Sequence, residues 1–264
     1  MSPKREPVVS LLTKRTRVAL EGYDNTLSPT ERVLSPNAVT GWSVNVPIEA
    51  TCQPSKHCAS TCYAASNLMA ATPALLRQTR VLRAMREDPA AFARRVCDEY
   101  DALGLTFVRW NGVGDLDEAA VEAINWIGAN RPDVVVWVVT RIAQHAAKIA
   151  HAPGVFVHFS LDATSRVRRL DFLSKAPLTR NYFFSWQCER GEVPPENHGA
   201  SVVFAHRYKV AEGVDLGAAS CPLNGANDCA GMCSKCRRCF NGEAVRLRVE
   251  LANWGSHGQQ REGL

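Results

Sequence analysis

An apolar leader is the first thing this chain lacks. Its opening residues, MSPKREPVVSLLTKRTRVAL, carry charge but no apolar run long enough for a secretory signal or a membrane span. That absence points to the cytoplasm, a reducing compartment. Clustered cysteines there bind metal or do redox chemistry more often than they form disulfides. Strong charge of one sign is also missing. The formal net charge of +5 suits an anionic ligand but falls short of a dedicated nucleic-acid binder. No internal repeat of fixed length stands out, and no Gly-x-Gly-x-x-Gly fingerprint for a dinucleotide is present.

What is present is an ordinary globular composition, 46% hydrophobic and 22% charged over 264 residues, enough for one large domain or two small ones. A chain of this length buries a sizeable core without staples. Its ten cysteines are therefore not needed for stability in the way a small secreted domain needs them.

Residues 1–40 are rich in Pro, Ser, Thr and Arg and predict a partly ordered arm. From residue 41 strands and helices alternate. WSVNVPIE, LTFVRW, DVVVWVVT, VFVHFS, NYFFSW and ASVVFAHRY are strand candidates. DVVVWVVT is apolar throughout, as a strand covered on both faces must be. Helices are predicted over ATPALLRQTRVLRAMRE, DPAAFARRVCDEYDALG, LDEAAVEAINWIGANRP, RIAQHAAKIAHAPG and TSRVRRLDFLSKA. In the second, Asp88 is placed as N-cap with Pro89 at the first helical position. The alternation predicts an α/β domain over 41–212 with a parallel sheet, either open and doubly wound or curled into a partial or full β/α barrel. Residues 213–264 are expected to form a Cys-rich metal-binding extension; its stretch SCPLNGANDCAGMCSKCRRCFNG has almost no apolar content, so metal is the expected source of its order.

Two groups of cysteines carry the chemistry. TCQPSKHCASTCYA places Cys52, Cys58 and Cys62 on the loop after the first strand, spaced C-x5-C-x3-C. Three protein ligands leave a metal position open. His57 or a tail cysteine could fill it instead, so a single shared cluster stays an alternative. The tail, SCPLNGANDCAGMCSKCRRCFNG, holds Cys221, Cys229, Cys233, Cys236 and Cys239. Both zinc and iron–sulfur clusters use four-cysteine sets, so Cys229 is left as the spare. Cys97, inside a helix, is expected to be a small core residue.

Ligands of parallel α/β sheets sit at the carboxyl ends of the strands. Those ends bring Asn111, Asp115, Thr140, Arg141, His158, Ser160, Asp162, Gln187, Cys188, His206 and Arg207 into question. Within NGVGD, Gly112 and Gly114 let backbone groups approach a ligand closely, and Asp115 can accept from an amine or a hydroxyl.

This layout resembles the radical S-adenosylmethionine enzymes. The resemblance implies a partial β/α barrel and a [4Fe–4S] cluster on Cys52, Cys58 and Cys62. It also implies cofactor binding at Asn111, Gly112, Gly114 and Asp115, and auxiliary clusters in the tail. The cysteine spacing differs from that superfamily's usual C-x3-C-x2-C, and Tyr63 follows the last cysteine where an aromatic usually precedes it. A closer resemblance runs from about residue 34 to about residue 240. LSPNAVTGWSVNVPIEATCQPSKHCASTCYA, VRWNGVGDLDEAAVEAINWIGANRPDVVVWVVTR and the terminal cysteines are similar to the phage and mobile-element gene product 88 family. That resemblance implies shared architecture more than an activity.

The expected function is an iron–sulfur enzyme with one or two clusters, using S-adenosylmethionine. Asp162, Gln187, His206 and Arg207 are its substrate candidates. One alternative is a non-catalytic, metal-stabilised module, with zinc as the other metal, that binds nucleic acid or protein through basic residues of TSRVRRLDFLSK and CSKCRRCF. Another is an iron–sulfur redox enzyme without that cofactor. The substrate is unidentified, no feature implies a membrane, and none sets an oligomeric state.

Overall fold

The computed structural model describes residues 26–65, 70–149, 151–165, 182–188, 191–194, 202–205, 212–216, 220–222 and 232–236, with single positions at 200, 210, 224 and 239. All six anticipated strands form. They are β2 (Gly41–Asn45), β3 (Val108–Val113), β4 (Val136–Thr140), β5 (Val155–Leu161), β6 (Tyr182–Gln187) and β7 (Val202–Phe204). A further strand, β1 (Leu34–Asn37), lies where the sequence predicts the arm. The first candidate strand is shorter than expected, because its end folds into the turn α1 (Ile48–Thr51). Next come α2 (Lys56–Thr61), α3 (Thr72–Glu87), α4 (Pro89–Ala102), α5 (Glu118–Asn130), α6 (Ala143–Ile149) and α7 (Met232–Cys236). The helix predicted over TSRVRRLDFLSKA falls largely outside the described residues.

Asp88 separates α3 from α4. It ends the first and caps the second, its Oδ1 accepting from Ala91 N at 2.8 Å. Pro89 then sits where no backbone donor is needed.

The strands lie in sequence order, β1 through β7, with β1 antiparallel to β2 and every other pair parallel. That order settles which face the helices take. A right-handed crossover to the next neighbour always lands on the same side, whereas a doubly wound sheet reverses its order midway. The doubly wound alternative is therefore excluded. Among the described strands β1 and β7 form the two edges, so the sheet is open and no closed barrel is made.

Strand alternation divides the sheet into two unlike faces. Val44, Trp110, Val136, Val138, Val157, Phe159, Phe184 and Trp186 point one way. They share a core with Val81 and Met85 of α3, Phe92 and Val96 of α4, and Ile124 and Ile127 of α5. The other face carries Arg109, Trp137, Phe156, His158, Ser160 and Ser185. Its apolar part is covered by the tail: Cys233 and Cys239 pack against the Phe107–Trp137 pair and against Val202 with Cys221.

β1 is held by side chains rather than by its own composition. Glu99 of α4 accepts from Val33 N at 2.7 Å and Leu34 N at 3.0 Å. Arg77 of α3 donates to Leu34 O at 2.7 Å. Among the described residues no helix is long and apolar enough to cross a membrane.

Candidate functional site

The loop that follows β2 is built in short steps. Thr51, at the end of α1, places Cys52 at the carboxyl end of the sheet, and its Oγ1 accepts from Asp115 N at 3.0 Å. Ser55 starts α2, its Oγ accepting from Cys58 N at 3.1 Å. Cys58 and Cys62 are four residues apart on this turn and share a face. Burial pushes the Cys52 thiol far above its usual range, and the charges of Asp115, Cys58 and Cys62 push further. Burial also raises Cys58. Arg141 opposes that rise, while Cys62, Asp162 and Asp115 add to it. The three thiols thus share one low-dielectric patch with two carboxylates and a guanidinium.

Those charged groups brace the loop from beneath. Asp162, just past β5, is fully buried. Its Oδ2 accepts from Ser55 Oγ at 2.5 Å and from Arg141 Nη1 at 2.6 Å. Its Oδ1 accepts from Thr164 Oγ1 at 2.8 Å, and Thr164 Oγ1 in turn accepts from His57 N at 3.3 Å. Burial works against ionisation of Asp162. The Ser55 hydrogen bond, the Arg141 charge, and Thr164 and Ser165 together outweigh it, so the carboxyl lies below its ordinary range. Arg141 and Asp162 are on the predicted rim; Ser55 and Thr164 are not. The one sequence signal for Ser55 is a hydroxyl standing just before a helical turn.

Asp115 brackets β3 to β4. Its Oδ1 accepts from Thr140 Oγ1 at 2.5 Å and Leu116 N at 2.8 Å, and its Oδ2 from Arg141 N at 3.1 Å. Burial raises its pKa to about 6, against the pull of those bonds and of the Arg141 charge. The two glycines before it are explained by packing. A Cβ on Gly112 would lie 2.4 Å from Asn45 Oδ1, and one on Gly114, where φ is +87°, 2.4 Å from Val46 Cγ2. Asn111 is buried in the left-handed region at φ 64°. The Tyr63 hydroxyl donates to Gly112 O across the mouth of the loop, leaving the ring half-exposed.

The tail thiols gather elsewhere. Cys221 follows β7, its N–H donating to Val203 O at 2.9 Å. Cys233 and Cys236 are three residues apart on α7. Cys239 is raised well above the usual thiol range by burial and then by the charges of Cys221, Cys233 and Cys236. Its carbonyl lies 2.9 Å from His158 Nε2. Burial lowers the pKa of His158 to about 4; the Cys239 carbonyl opposes this and Arg109 adds to it.

The other predicted residues take plainer places. Cys97 and Cys188 lie in the main core, where burial lifts their thiols to about 11 and about 12. Cys188 is therefore no rim residue. Gln187 spends its amide on Phe204 O and Ala205 O at the end of β7. His206, Arg207 and Cys229 lie outside the described residues.

Among the described residues no three His, Cys, Asp or Glu side chains are grouped to hold a single ion as they stand. A tetrahedral zinc with bonds of about 2.3 Å needs its thiolates about 3.8 Å apart. An iron–sulfur cube asks for less crowding, because each thiolate takes its own iron. The donor chemistry of both groups, soft thiols on short loops, fits a thiolate-bound centre.

Fold and site together define an α/β protein with an open, mostly parallel sheet and thiol-rich segments at its strand ends and on one face. The family model described as Gene product 88 matches residues 11–242, and the chain belongs to that family. No curated protein matches the chain. No solved structure matches it either.

Proposed function

We propose that the protein is an iron–sulfur enzyme, with an open-sited [4Fe–4S] cluster on Cys52, Cys58 and Cys62 and a second thiolate-bound centre on Cys221, Cys233, Cys236 and Cys239. One observation carries the reading. Cys52, Cys58 and Cys62 lie close enough to act on one another beside Asp115 and Asp162, and Cys221, Cys233 and Cys236 lie close enough to act on Cys239, each group by itself. Three thiolates leave one iron of a cube without a protein ligand, while four close a site. With a cofactor of the S-adenosylmethionine type bound at that open iron, the cluster supplies one-electron chemistry.

The chain's own residues hold the parts in place. Ser55, Asp162 and Arg141 fix the loop against β4 and β5. The Asn111–Asp115 segment forms the wall opposite the thiols and is the candidate for receiving the cofactor's amine. Tyr63 ties the loop to that wall. In this reading the open sheet is the wall of a partial β/α barrel.

Anaerobic analysis of iron, sulfide and zinc tests the proposal. About eight irons per chain are expected for two cubes. Electron paramagnetic resonance of the reduced protein is expected to change when S-adenosylmethionine is added. Zinc alone would favour the metal-stabilised binding module. Iron with a spectrum indifferent to the cofactor would favour the redox enzyme. One observation weighs against a nucleic-acid partner on the helical side. The arginines along α3 are matched by acids: Arg80 to Glu31 at 2.7 Å, Arg83 to Glu87 at 2.7 Å and Arg86 to Asp117 at 2.8 Å.

A further inference from the structure

The stretch SCPLN, residues 220–224, brings the chain back to the outer edge of β7, the last of the described strands. Ser220 makes a single parallel bridge with Val203, and Cys221 N donates to Val203 O at 2.9 Å. Cys221 O accepts from Asn224 N at 2.8 Å. That bond closes a tight turn, with Pro222 at the position where a fixed φ is favoured. The turn lays the Asn224 carboxamide along the strand edge. Its Oδ1 accepts from Ala205 N at 2.9 Å, and its Nδ2 donates to Val203 O at 2.8 Å. These are the bonds that a residue of a parallel strand would make opposite Phe204. Nδ2 also meets Ser220 Oγ at 2.9 Å. An N–H can only donate and a carbonyl only accept, so Ala205 and Val203 fix which way the amide faces. Cys221 itself is buried against Val202, and Cys233 and Cys239 pack on the same pair. Its thiol therefore stands where the tail thiols gather, while the bonds that place its backbone come from β7 and Asn224. Those bonds need no metal.

We infer that Asn224 is a positioning residue of the second thiolate centre: its carboxamide fixes Cys221 on the β7 edge ahead of any metal, and Cys233, Cys236 and Cys239 close onto that seat. The inference rests on reading Cys221, Cys233, Cys236 and Cys239 as one centre, and it adds an order of assembly to that reading. One ligand is set by the sheet. The other three arrive with α7 and the residues after it. A thiol already in place lowers the ordering cost that metal binding to a free loop carries.

Two measurements on the full chain test it. In the first, the metal-free protein is treated with iodoacetamide, and alkylation of the Cys221 peptide is followed by mass spectrometry. Wild-type Cys221 is expected to react slowly. Asn224→Ala is expected to speed it about tenfold, the loss of a net hydrogen bond or two. In the second, the same proteins are loaded with cadmium ions and read by cadmium NMR, in which each site gives its own resonance and the shift reports its number of thiolates. Asn224→Ala is expected to move the tail resonance off the four-thiolate position and to leave the resonance of Cys52, Cys58 and Cys62 where it was. Asn224→Asp keeps the shape and the acceptor for Ala205 N but has no donor for Val203 O, so it is expected to behave like Asn224→Ala. Circular dichroism checks that each variant still unfolds cooperatively. The inference is overturned if wild-type Cys221 reacts as fast as it does in urea, if either variant keeps the four-thiolate resonance, or if both resonances shift together. A wild type with no four-thiolate resonance overturns the second centre and, with it, the part Asn224 plays there. The alkylation rates, read without metal, tell that failure apart from a failure of Asn224 to hold Cys221.

Discussion

Asp162 is a fully buried charge with several partners. Breaking a buried pair by removing one member leaves the other uncompensated, at a cost of roughly 3–5 kcal/mol. Asp162→Ala is therefore expected to lower unfolding stability by about that much in urea, and to loosen the thiol loop as well. A loss below about 1 kcal/mol would make the pair a bystander. Gly114→Ala faces two penalties at once, a left-handed backbone and a Cβ against Val46. The expected cost is roughly 2–4 kcal/mol, measured the same way. Asp115 gives a pH signature. Its folded pKa, about 6, lies above the ordinary carboxyl value of 3.8, so its favourable contribution is full below about pH 4 and is lost as the pH rises through 6. The stability of the wild type relative to Asp115→Asn is expected to fall across that window by up to about 3 kcal/mol. A difference that stays flat with pH would refute the raised pKa.

At the scale of elements, Asp88 does two jobs in one position. Asp88→Ala is expected to cost about 1 kcal/mol, with amide exchange rising first at the start of α4. That junction is legible from the sequence because its signal is local, a cap followed by Pro89. The six parallel strands are legible too, since their apolar runs are bounded by turns. β1 is not. Its residues, Leu-Ser-Pro-Asn, have little strand character, and the order comes from Glu99 and Arg77, more than forty positions away in the chain. The cysteine groups are readable from their spacing, but their division into three and four is not. It depends on where the tail docks, which Trp137, Phe156 and His158 decide through contacts far apart in sequence. The loop's bracing is half readable. Arg141 and Asp162 belong to strand ends, whereas Ser55 acquires its role only when β5 arrives beside it.

For the molecule as a whole, the single-sided helical layer separates two kinds of stability. The main core lies between the sheet and α3–α6 and contains none of the seven proposed ligands. Stripping the metal anaerobically is therefore expected to leave a cooperative unfolding transition by circular dichroism, while the tail becomes sensitive to protease. Loss of all cooperativity would mean that the metal organises the core itself. The strand order bears on how copies of this chain meet. A parallel sheet with an open side is a template on which a second chain can add a strand. On the β1 side that template is blocked: Leu34 has already spent its N–H on Glu99 and its C=O on Arg77, and Pro36 has no N–H to offer. The short strand that looked like part of an arm is thus a guard against fibrous self-association. A chain shortened to begin after Asn37 would present β2 bare, and it should leave a sizing column as growing assemblies rather than as the single species of the intact protein.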